Sequence, residues 1–117
     1  MSVTLEQIAV DCSDVLALAT FWANVLETEV EAGSNEYAAT VQRTAGGPAM
    51  MFLKVPEQPS GTKNRLHFDL ASTDWAAEVD RLVSLGAKRH GEFTEYGVHW
   101  VTLTDPEGNV FDLAEAH

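Results

Sequence analysis

The chain has 117 residues, enough for one domain-sized core and too few for several enzymes joined end to end. Its composition, 45% hydrophobic and 21% charged, is that of a folded globular protein and excludes a disordered chain. With 7 basic against 18 acidic residues the net charge is −11, spread over both halves and with no basic run longer than Lys88-Arg89, so neither nucleic acid nor a membrane surface is expected as a partner.

In chain order, residues 5–11 alternate apolar and polar side chains and predict a half-buried strand. Ser13-Asp14 supplies an N-cap. A helix follows over 15–26, with Leu16, Ala19, Phe21, Trp22, Val25 and Leu26 at one-face spacing. Strands are expected near 29–31, 36–43 and 49–55, the last two joined by a turn at 44–48 that contains Gly46, Gly47 and Pro48. Turn-forming residues fill 57–64, which reads as a linker between a first module, 1–56, and a second, 65–117.

The second module repeats the first. Arg65 to Ala71 alternates as the first strand does, and Ser72-Thr73-Asp74 matches Cys12-Ser13-Asp14. A helix over 75–85 carries Trp75, Val79, Leu82, Val83 and Leu85 and ends at Gly86, a natural C′ residue. Strands are expected near 88–93, 97–104 and 109–114, with a turn at 105–109 before the last. Each half is therefore βαβββ, and the expectation is a single α+β domain of two such modules whose curved mixed sheets enclose a cleft.

Alternation also sorts the side chains by face. Leu66, Phe68, Leu70, Ile8, Val10, Phe111 and Leu113 are assigned to the helix side. The opposite face carries Gln7, Arg65, His67, Asp69 and Asp112, joined by Trp100 and Thr102 if the hairpin strand pairs in the same sense. An antiparallel sheet with one solvated face explains polarity of this kind without any site. A glutamine and a histidine at corresponding positions of a duplicated strand favour a site.

The paired βαβββ pattern, the passages Val10-Asp11-Cys12-Ser13-Asp14 and Leu70-Ala71-Ser72-Thr73-Asp74, Phe21-Trp22, and Asp105-Pro106-Glu107-Gly108-Asn109 followed by Val110-Phe111-Asp112-Leu113 resemble the glyoxalase and bleomycin-resistance proteins of the vicinal oxygen chelate superfamily. The resemblance covers essentially the whole chain. It implies the glyoxalase/bleomycin-resistance/dioxygenase fold, a scaffold shared by lyases, isomerases, extradiol dioxygenases, epimerases and metal-free drug-sequestering proteins, so it speaks to fold more than to function. It also implies metal ligands on the first and last strands of each module. The matching positions are Gln7, Leu53, His67 and Asp112, of which Leu53 cannot bind a metal. With one carboxylate remaining, a divalent Zn, Ni, Mn or Fe ion is expected to be held weakly.

His67 and Asp112 are the candidate acid–base pair; Gln7, Met51, Leu53, Arg65 and Trp100 are the candidate ligand-binding residues. Arg65 would attract an anionic or carbonyl-bearing ligand, or else pair with Asp69 or Asp112. The leading expectation is a cleft that binds, with transformation left open, a small organic molecule. The alternatives are a metal-dependent lyase, isomerase or dioxygenase using Gln7, His67 and Asp112, and a non-catalytic drug-sequestering protein. A homodimer is expected from size and from the resemblance.

Cys12, the only cysteine, excludes an internal disulfide and a thiolate-rich zinc site, and reads as a small buried residue. His99 shares the alternation of Val101 and Leu103, whereas His90 and His117 are expected exposed, in a turn and at the terminus. Apolar stretches fall short of the roughly 20 residues of a membrane helix. No signal-peptide pattern opens the chain, and the expected location is cytoplasmic.

Overall fold

A computed structural model describes residues 2–57 and 62–116. Residues 58–61 of the expected linker, and His117, lie outside the described residues. The chain divides into two compact units, Met1–Pro59 and Ser60–His117, both α+β.

The first unit contains β1 (Gln7–Cys12), α1 (Val15–Val25), β2 (Ala38–Val41) and β3 (Ala49–Lys54). Its sheet runs β1-β3-β2, with β1 parallel and β2 antiparallel to β3. The strand expected at 29–31 shrinks to a single bridge between Val30 and Val41, because Val30 is flanked by exposed glutamates and offers one apolar side chain to bury. Asp14 caps α1 by accepting a hydrogen bond from the Ala17 N–H at 3.3 Å. Val15, Leu18, Ala19, Phe21, Trp22, Ala23 and Val25 are buried, so the expected face holds at Ala19, Phe21, Trp22 and Val25 and extends to Val15, Leu18 and Ala23, while Leu16 points outward. No glycine ends this helix; Glu27 itself takes the left-handed conformation, φ 55°.

The second unit contains β4 (Asp69–Ser72), α2 (Trp75–Leu85), β5 (Lys88–Glu95), β6 (Val98–Thr104) and β7 (Val110–Glu115). Its sheet runs β4-β7-β6-β5, with β4 parallel to β7 and the other neighbours antiparallel. Val101, Leu103, Phe111 and Leu113 are buried with Val79 and Leu82 of α2. Alternation then leaves Trp100, Thr102 and Asp112 on the face away from the helix. The Asp105 carboxylate organises the β6–β7 turn by accepting from the N–H groups of Glu107 and Asn109.

Three expectations need correction in this unit. The strand predicted to begin at Arg65 begins at Asp69, so Arg65, Leu66 and His67 precede it, and Leu66 is exposed instead of joining the core. His90 lies in β5, where the register with β6 shifts between Arg89 and Gly91, and its Nε2 is 2.8 Å from Thr104 Oγ1. Asp74 makes no side-chain cap; Ser72 Oγ accepts from the Asp74 N–H instead.

Candidate functional site

The parallel pairing of β4 with β7 sets Asp69 opposite Asp112, and the antiparallel pairing of β7 with β6 sets Asp112 opposite Thr102. Side chains directly opposite share a face. Two residues before Asp69, the His67 ring reaches this row: its Nε2 is 3.2 Å from Asp69 Oδ1 and 3.6 Å from Asp112 Oδ2. One donor atom from each of the three residues lies within 4.8 Å of the others. Asp112 is the most shielded of them, and its Oδ1 accepts a hydrogen bond from Thr102 Oγ1 at 2.7 Å. That bond fixes the carboxylate with Oδ2 on the His67 side.

Beside the triad lies a cleft of about 290 Å³ lined by Asp69, Leu70, Val98, Trp100, Asp112 and Ala114. Its walls are mostly apolar and its polar groups few, the usual make-up of a small-molecule site. Trp100 is paired with Phe93 across β5 and β6, and the two rings stack with centroids 5.6 Å apart at 26°. Gly91 makes room for this: a Cβ there would sit 3.0 Å from the Phe93 ring.

His67, Asp112 and Trp100, all candidates from the sequence, are thus brought to one place. Arg65 is exposed, ahead of β4, and the group next to both aspartates is His67. Alternation puts Asp69 and Thr102 on the right face but gives them no role; the signal for Asp69 is its spacing, two residues after His67. Phe93 carries no such signal, since its partnership with Trp100 depends on hairpin register.

In the first unit Gln7 and Met51 meet, Gln7 Nε2 lying 4.0 Å from Met51 Sδ. Register corrects one assignment. Counting 60 residues back from Asp69 gives Ala9, which pairs with Met51, so Met51 and not Leu53 stands where Asp112 stands in the second unit. Leu53 pairs with Asp11 and corresponds to Ala114. A thioether is a soft ligand and a poor substitute for a carboxylate.

On the helix-bearing face His99 packs edge-on against Trp75, centroids 4.3 Å apart, with its Nε2 2.7 Å from Glu92 Oε2. The hydrogen bond from His99, helped by the charges of His99 and Arg89, holds the Glu92 carboxyl below its ordinary range. Cys12 is buried, its thiol directed at the Leu53 carbonyl, as expected of a packing residue. No helix among the described residues is long and apolar enough to cross a membrane.

One imidazole and two carboxylates form a donor set for a divalent cation. A cation with bonds of about 2.1 Å sets neighbouring ligand atoms about 3 Å apart, close to the 3.2 and 3.6 Å separations here. Two anionic donors improve on the single carboxylate expected from sequence.

A family model for the glyoxalase-like domain matches residues 7–114. Among solved structures, a glyoxalase/bleomycin resistance protein/dioxygenase family enzyme from Burkholderia phytofirmans PsJN is 19% identical, with a TM-score of 0.79 over 98% of this chain and 100% of that one. The fosfomycin resistance protein FosX from Mesorhizobium loti is 12% identical, TM-score 0.73, over 100% of this chain and 95% of its own. Lactoylglutathione lyase from Agrobacterium tumefaciens is 18% identical, TM-score 0.65, over 99% and 96%. No curated protein sequence matches the chain. A family model spanning nearly the whole chain places it: the protein belongs to the glyoxalase-like domain family.

Proposed function

We propose that the chain binds a small organic molecule in the cleft of its second unit and anchors it at a divalent cation held by His67, Asp69 and Asp112. The observation that carries this reading is the convergence of three ligand atoms within 4.8 Å at a cleft whose other walls are apolar. Such a cation, when bound, supplies Lewis-acid polarisation of an oxygen on the ligand. The chain's own residues do the rest. Thr102 orients Asp112, Trp100 offers a flat apolar wall steadied by Phe93, and Val98 and Ala114 keep water from the ligand's apolar part. His67 or Asp69, where not engaged by the cation, can move a proton to or from the ligand.

Calorimetric titration of chelator-treated protein with Zn²⁺, Ni²⁺, Mn²⁺ and Fe²⁺ tests the reading. One equivalent of at least one of them should bind, and His67→Ala should abolish it; no binding, or binding indifferent to His67→Ala, refutes it. For an organic ligand found by thermal-shift screening, Trp100→Ala should cost at least tenfold in affinity, about 1.4 kcal/mol. A second reading, sequestration without turnover, draws on the Phe93–Trp100 stack and is decided by whether that ligand returns chemically unchanged. We take the protein to be a homodimer; Leu16 and Val83, exposed on the two helices, are apolar surface of the kind a partner would cover, and light scattering at micromolar concentration tests it.

A further inference from the structure

The backbone that carries His67 belongs to no strand, yet its imidazole is held against two carboxylates. Continuing the Asp69–Asp112 register backwards sets His67 opposite Val110. The Asp112 N–H donates to the Phe68 carbonyl at 3.0 Å, so in a continued parallel ladder the Val110 N–H would donate to the carbonyl of Leu66. It does not. The side-chain amide of Asn64 occupies that rung. Its Oδ1 accepts from the Val110 N–H at 2.7 Å, and its Nδ2 donates to the Leu66 carbonyl at 2.6 Å and the Val110 carbonyl at 3.1 Å.

A side chain thus stands in for a peptide group, ends the ladder, and still ties Leu66 to β7. His67 sits between two fastened carbonyls, Leu66 held by Asn64 and Phe68 held by the Asp112 N–H. Only a short primary amide does this: aspartate cannot donate, glutamine is one methylene longer, and alanine would leave the part-buried Val110 N–H without the acceptor it has here.

We infer that Asn64 is a positioning residue for His67, its amide fixing the backbone from which the imidazole is set against Asp112. The consequence for cation affinity rests on the cation-binding reading above; the consequence for the ring itself does not. The test uses the full-length, cation-free protein labelled with ¹⁵N, followed by titration with Co²⁺. In Asn64→Ala the His67 ring signals should move toward those seen in Asp112→Asn, the Val110 amide should exchange at least tenfold faster, and Co²⁺ affinity should fall about tenfold or more. Asn64→Asp, which keeps the bond from the Val110 N–H and loses both donated bonds, should fall between, and it decides the matter by the same signals if Asn64→Ala does not melt cooperatively. Trp75→Phe removes the bond from Trp75 Nε1 to Glu115 on the other face and should leave the His67 signals in place. Unmoved His67 signals in the Asn64 variants, or equal movement in Trp75→Phe, overturn the inference. Failure of the unaltered protein to bind Co²⁺ or any other tested cation would count against the cation reading alone, since the ring signals still report on Asn64.

Discussion

The two units share a plan and divide the work differently. Both run strand, helix and returning strands, with the first strand parallel to the last, and in both a long side chain two residues ahead of the matched rung reaches across it. In the first unit that rung is Ala9–Met51 and the reaching group is Gln7; in the second it is Asp69–Asp112 and the group is His67. The same backbone therefore presents an amide on a thioether in one place and an imidazole on two carboxylates in the other. Burial follows the reverse order: α1 is buried along most of its length, whereas only Val79 and Leu82 of α2 are buried. The comparison teaches that the scaffold supplies positions, and that three side chains give the second unit the donor set on which the proposed function rests.

The largest expected effect is on the packed side. Trp22 of α1 is fully buried, and Trp22→Ala should cost about 3–5 kcal/mol in denaturant unfolding, whereas Val83→Ala on the open side of α2 should stay within about 0.5 kcal/mol. Equal costs would mean that the two helices do not differ in the way their burial indicates. On the polar side, Thr102→Val removes the hydroxyl from Asp112 Oδ1 while nearly preserving volume. Cation affinity should drop about tenfold with little change in melting temperature; an unchanged affinity would remove Thr102 from the site.

A smaller effect comes from the β5–β6 hairpin. Tyr96 and Gly97 both have positive φ, 52° and 76°, the pattern of a two-residue turn that favours Asn-Gly. Tyr96→Asn should raise stability by about 0.5–1 kcal/mol, read from the shift in melting temperature. The smallest effect concerns acid. Because the folded-state pKa of Glu92 is depressed, its contribution is present above the ordinary glutamate range and is lost as pH falls through the lower folded value. Glu92→Gln should flatten the stability profile only below about pH 4.5. A change near neutrality would assign the effect to another group.

Much of this is legible in the residues. Alternation in 98–104 and 110–115 marks both the buried row Val101, Leu103, Phe111 and Leu113 and the opposite row with Trp100 and Asp112, because period-two burial is a local property. The features that escape depend on partners distant in sequence. The start of β4 is set by Asn64, a side chain that caps a ladder 46 residues away, and the sequence of 64–68 looks as strand-like as that of 69–72. Choosing between Leu53 and Met51, which alternation places on one face, requires the register of β1 on β3. The spacing of Asp69 from His67 places the two on one face, but only the pairing of β4 with β7 brings the Asp69 carboxylate to Asp112.

The central claim, that the second unit alone carries the ligand set, is tested most directly by calorimetric cation titration of four proteins side by side: the unaltered chain, His67→Ala, Asp69→Ala and Gln7→Ala. The account predicts one equivalent for the unaltered chain and for Gln7→Ala with the same affinity, and a loss of at least a hundredfold, about 2.7 kcal/mol, for each of the other two. Binding that survives Asp69→Ala but falls with Gln7→Ala would contradict it.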